Sequence, residues 1–245
     1  MTIKEMFSKK KLIVLGIFLV FALVASRINF STVIGAPNQS FTLFQFFGPM
    51  IGAFLGTAFG MIAVLGAELA DYLIAGKAFT LLNLLRLLPM LFAVYYFSNY
   101  SKKKEISKLF MIIVPVMAIT AFVLHPIGMQ AWYFSLYWLI PIFAVILPNK
   151  MPGKLFFRSL GATFTAHAIG SIAFLYTVPM TAVQWMGLIP VVAYERLMFA
   201  AGIAVSYVLL TTVMDKVVEK TKLPAGIASV EKEYILSKKL FKITS

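Results

Sequence analysis

The sequence predicts an all-α, polytopic transmembrane bundle of seven to eight helices, and three observations predict it. Of 245 residues, 61% are hydrophobic and 13% charged, against about 45–50% and about 25% in a soluble domain. Such a chain lacks the charge to cover itself against water. Its apolar residues gather into runs that reach or approach the roughly 20 residues needed to cross a hydrocarbon core. Lipid offers no partner to backbone N–H and C=O groups, so runs of this kind fold as helices and not as open strands.

The first run, residues 12–28, follows Lys9, Lys10 and Lys11. Signal peptides share this pattern; we read it as an uncleaved span. The second, residues 41–75, is too long for one ordinary span. Pro49 lacks a backbone donor and clashes with a preceding helical turn, so a fold-back at Gly48-Pro49 divides this run. One short or re-entrant helix through residues 39–47 and a return through 51–75 result. Runs 79–97, 109–124, 131–147, 155–178 and 189–214 follow. Residues 1–217 thus form the transmembrane bundle and 218–245 a basic cytoplasmic tail, facing solvent or lipid headgroups.

The net charge is +13, which in a soluble chain suggests nucleic acid. Here the lysines cluster between apolar runs, which excludes nucleic-acid binding and sets orientation instead. By the positive-inside rule, the clusters at 4–11, 102–108, 150–158 and 216–242 are cytoplasmic. That gives eight crossings of the cell membrane, with both termini cytoplasmic. Cysteine is absent, which excludes disulfides, thiolate nucleophiles and thiolate-bound metal. Two histidines, His125 and His167, do not make a metal site, and no cofactor is expected.

Gly48, Gly52, Gly56 and Gly60 recur every four residues, which places them on one face of a continuous helix. Small faces let helices approach closely in lipid, so this ladder reads as helix packing. Charges inside apolar runs carry more information. Each costs at least about 2.5–3.5 kcal/mol at a helix centre and is normally paired or faces a cavity. Glu68 and Asp71 end one span and Arg86 begins the next, which suits a carboxylate–guanidinium pair. Glu195, Arg196 and His125 fall at the same outer level, as do Asn83, Gln130 and Gln184. This asymmetry points to a substrate-binding pocket formed by Glu68, Asp71, Asn83, Arg86, His125, Glu195 and Arg196. A static ion-pair network that fixes helix order is an equal alternative for Glu68, Asp71 and Arg86. Trp132, Tyr133, Tyr137, Trp138 and Trp185 read as an interfacial aromatic belt. His167 reads as a hydrogen-bonded core residue.

The stretch from Phe46-Phe-Gly-Pro to Leu55-Gly56, then Glu68-Leu-Ala-Asp71 to Gly76, then Asn83-Leu-Leu-Arg86 and Tyr95-Tyr-Phe, resembles a substrate-binding (S) component of energy-coupling factor (ECF) vitamin transporters. The resemblance covers residues 41–104. It implies a multi-pass protein that binds a vitamin or related micronutrient from outside and takes no part in catalysis. It also implies partners, a transmembrane coupling protein and cytoplasmic ATPases, with small residues such as Ala22 and Ser26 on the first helix serving for docking. The chain has no G-x-x-x-x-G-K-[ST] loop of its own. Two other classes stay open. A self-contained proton- or cation-coupled secondary transporter would use Glu68, Asp71 and His167 beside a broken helix. A membrane enzyme would use Glu195–Arg196 or His167 as acid–base groups.

Overall fold

The computed structural model describes residues 9–32, 40–102, 104–148, 151–221 and 230–236. Apart from one small ribbon, the described elements are helical. Helices Thr57–Ile74, Leu81–Asn99, Glu105–Leu124 and Ile189–Glu219 are long and apolar enough to cross a membrane, and Phe44–Leu55 and Trp132–Ile146 are shorter apolar segments. These mark a membrane protein. The lysines at positions 4, 103, 150, 222, 238, 239 and 242 lie outside the described residues, as does Gln39.

Helix α1, Lys9–Ser26, buries Phe18, Ala22 and Ala25 against the bundle, so Ala22 is not a free docking surface. Strands β1, Asn29–Thr32, and β2, Ser40–Thr42, pair antiparallel, with an irregularity between Asn29 and Ser31. The expected all-α chain therefore carries one ribbon. Its Asn, Ser and Thr side chains are poor helix formers, and between its strands no apolar run is long enough to span.

The chain then descends through α2 (Phe44–Phe47), a 3-10 turn (Gly48–Met50) and α3 (Ile51–Leu55). The expected fold-back at Gly48-Pro49 is not there. Gly48 is right-handed helical (φ −50°, ψ −53°), and Pro49 stands in the first turn of the 3-10 segment, where a missing N–H costs nothing. The reversal is at Gly56, with φ +89° and ψ 150°, a conformation essentially restricted to glycine. Helix α4, Thr57–Ile74, returns from there. The glycine ladder consequently does not lie on one helix face. Gly60 and Gly52 meet back to back across the hairpin, where a Cβ on Gly60 would land on the Gly52 backbone. Gly52 also faces Val94 and Ser98, and Gly48 faces Met90.

Helices α5 (Leu81–Leu85) and α6 (Leu88–Asn99) form the next pass, broken at Arg86-Leu87 with Pro89 opening α6. Then come α7 (Glu105–Leu124), α8 (Pro126–Gln130), a 3-10 segment (Trp132–Trp138) and α9 (Leu139–Ile146). Helix α10, Lys154–Thr177, is the bundle's centre, packed on α6, α9 and α12. Its small residues allow that approach; at Gly161 there is room only for the ring of Tyr96, whose hydroxyl donates to Pro141 O at 2.6 Å. Helix α11 (Ala182–Gly187) has a Thr181/Gln184 capping box, and α12 runs Ile189–Thr221, past the expected boundary at 217.

One end of the bundle is fastened by polar contacts. Lys102 Nζ donates to Thr57 Oγ1 at 3.0 Å, and Tyr100 donates to Ala144 O at 2.6 Å. Arg158, expected among surface lysines, is completely buried. Its Nε donates to Phe97 O at 2.7 Å, and its Nη1 pairs with Glu231 at 2.8 Å. The tail is thus not wholly solvated: residues 230–236 return to the bundle, with Tyr234 against Tyr207 and Leu236 N donating to Thr212.

Candidate functional site

At the other end, α4, α5–α6, α10 and α12 converge on a cavity of about 170 Å³. The break at Arg86-Leu87 sets the guanidinium beside the approach from α4, which carries Glu68. Helix α10 contributes His167 and Ser171, and α12 contributes Glu195 and Arg196. Phe134, Phe174 and Trp185 form aromatic walls. A second cavity of about 130 Å³ adjoins the first, with Ser40, Gln45, Glu68 and Arg86 common to both. Asp71, Asn83 and Lys77 line the second.

The seven residues expected in a pocket are thus divided. Glu68, Arg86, Glu195 and Arg196 meet at the first cavity; Asp71 and Asn83 belong to the second. His125 lines neither of these cavities. Its Nδ1 accepts from Ile127 N at 3.2 Å, capping α8, and its ring meets Tyr176 edge-on. Asn83 braces its own loop, donating to Ala78 O at 2.9 Å.

The expected pairing of Asp71 or Glu68 with Arg86 is not formed. Asp71 pairs with Arg27 at 3.2 Å and Lys77 at 2.8 Å. Arg27 comes from the end of α1, a position no local spacing identifies. Arg196 pairs with its neighbour Glu195 at 3.3 Å, donates to Thr163 at 3.4 Å, and lies over the rings of Phe41 and Phe199. Among the described residues, Glu68 and Arg86 have no ion-pair partner within 4 Å. Three buried polar atoms of the first cavity's residues also lack hydrogen-bond partners: Glu68 Oε2, Trp185 Nε1 and Arg196 Nε. Five further such atoms, on Ser98, Ser101, Arg158, Tyr207 and Thr211, lie elsewhere in the described residues, so what sets this cavity apart is the convergence of Glu68, Arg86, Glu195 and Arg196 on aromatic walls.

Two aromatic residues expected at the interface are interior. Trp138 is fully buried and Trp185 nearly so. Trp138 Nε1 donates to His167 Nδ1 at 3.1 Å, and Ser171 Oγ stands 3.3 Å from Nε2. An indole N–H can only donate, so Nδ1 carries no proton and His167 is the neutral Nε2–H tautomer. The core reading of His167 accounts for its bonds and missed its place in the cavity wall. Trp185 could be found only from the fold, since its sequence context matches that of a belt residue. Comparisons with protein-family models, curated proteins and solved structures give no match.

Proposed function

We propose that this chain is a membrane-embedded substrate-binding subunit for uptake of a vitamin or other small organic micronutrient, similar to the S component of an ECF transporter. The observation that supports this most is the cavity walled by Phe134, Phe174 and Trp185 on which Glu68, Arg86, Glu195 and Arg196 converge, Glu68 and Arg86 having no ion-pair partner within 4 Å among the described residues. Binding sites hold apolar walls with a few convergent polar groups, and an unmet polar group favours a ligand that meets it. Together the two adjoining cavities approach the lower end of the about 300–1,000 Å³ usual for ligand pockets.

In this reading α1, the limb 44–55, α4, α5–α6, α7, the segment 132–146, α10 and α12 cross the plasma membrane eight times. Lys102, Lys104, Lys108 and Lys154 then face the cytoplasm together with both termini, and the cavity faces outward. The role is capture and not catalysis, with a transmembrane coupling protein and cytoplasmic ATPases as partners. The test is thermal stabilisation of the purified chain by a panel of vitamins, nucleobases and their precursors. A ligand held at 100 times its Kd adds about 2.7 kcal/mol; no stabilisation by any member overturns the reading. The absence of cysteine permits single-cysteine labelling at Lys77 and Lys102 in intact cells, with only the former reached by an impermeant reagent.

A proton- or cation-coupled secondary transporter is the second reading, favoured by the pass broken at Arg86-Leu87 beside the cavity. Uptake by vesicles containing this chain alone would select it.

A further inference from the structure

Most charges around the two cavities are in ion pairs: Arg196 with Glu195, and Asp71 with both Arg27 and Lys77. Among the described residues, Glu68 and Arg86 form no ion pair within 4 Å, and both stand where the two cavities adjoin. Both are partly exposed, so a ligand in the cavities can reach them. A neutral ligand leaves both without a contact partner and a singly charged ligand leaves one. A ligand with both signs meets both at contact distance.

The remaining groups agree in chemistry and size. The Arg86 fork suits a carboxylate, which accepts at about four lone-pair sites. Glu68 suits an ammonium, which only donates. The first cavity, about 170 Å³ and walled by Phe134, Phe174 and Trp185, matches a single ring, since an apolar cavity of about 150 Å³ takes up benzene. The second cavity offers a polar surround, with Asn83, Tyr72 and Lys77.

We infer that the ligand is a small zwitterion: an ammonium at Glu68, a carboxylate at Arg86, and an apolar body of about one ring within the aromatic cavity. This rests on the binding reading of the same cavity and narrows it. The full chain, purified in detergent, is titrated calorimetrically with L-phenylalanine, 2-phenylethylamine, 3-phenylpropanoate and the neutral ring thymine. L-Phenylalanine binds, and losing either charged group weakens binding by about tenfold or more, as a close charge pair requires. In Glu68→Gln, phenylalanine falls to the level of phenylpropanoate; in Arg86→Gln, it falls to that of phenylethylamine. The wild-type series decides the matter even if a variant does not fold. Single-charge analogues binding as tightly as phenylalanine overturn the zwitterion. Binding of thymine or a neutral vitamin with none of phenylalanine overturns it while leaving the uptake reading in place. No binding by any of these or by the vitamin panel overturns both.

Discussion

The two ends of this bundle handle charge inside the helix packing in opposite ways. At the end carrying Lys102 and Lys154, Arg158 is fully enclosed and its Nη2 has no hydrogen-bond partner, yet its charge meets a carboxylate, a backbone carbonyl and the faces of Phe97 and Tyr207 at 4.0 and 5.1 Å. At the other end, Glu68 and Arg86 share cavity walls and form no ion pair. The first arrangement fastens helices α6, α10 and α12 to the chain's last described segment. The second leaves electrostatic demand that a ligand can meet. A buried charge is therefore no signature by itself; what separates a fastener from a receptor is whether the fold supplies its partner.

The contrast can be broken by substitution. The largest effect is expected for Glu231→Gln, which strands the Arg158 charge. Breaking a buried pair from one side costs about 3–5 kcal/mol, and because Glu231 keeps 26% of its side-chain surface, about 3 kcal/mol of unfolding free energy is expected by denaturant titration. Gly60→Ala comes next, at about 2 kcal/mol, because its methyl meets the Gly52 backbone and overpacking costs about 1–3 kcal/mol. Asp71→Asn should cost less than about 1 kcal/mol in the same titration, since both its cationic partners are nearly half exposed. Glu68→Gln should leave stability within about 0.5 kcal/mol or raise it, because no native bond to Oε2 is lost. A loss as large as that of Glu231→Gln would show that Glu68 is also a fastener.

Acidity gives the smallest signal. Lys102 is held below the ordinary lysine range by burial, then by Lys104 and Arg158, with Glu231 opposing. For a base whose folded pKa is lowered, the penalty is fully present below that pKa and is relieved as pH rises through it toward the unfolded value. Wild-type melting temperature should therefore rise relative to Lys102→Met between about pH 7 and about pH 10.

Much of the fold was legible because lipid leaves an apolar run so few options. The errors share a cause. Pro49 is the loudest break in residues 41–75, yet a proline in the first turn of a helix disrupts nothing, and the reversal fell to Gly56, one of four glycines that only backbone torsion distinguishes. Helix α10 read as one run among several because its Gly, Ala, Ser and Thr residues are faintly hydrophobic; those same residues make it central. Within the site, Glu68, Arg86, Glu195 and Arg196 could be named from rarity alone. Their pairings could not, because Arg27 and Asp71 are brought together by helix packing across 44 positions. Trp185 and Trp138 share the composition of surface aromatics and differ only in where the bundle puts them.

The limb before Gly56 comprises helical pieces of 4, 3 and 5 residues. At about 1.5 Å per residue it climbs about 18 Å, well short of the about 30 Å of a bilayer's oily layer. The shortfall coincides with a hollow of about 600 Å³ edged by Gly52, Gly56, Lys102, Lys154 and Glu231. If the eight-crossing arrangement holds, this limb alone cannot reach across that layer, and the hollow marks the side from which the bilayer would have to thin to meet it.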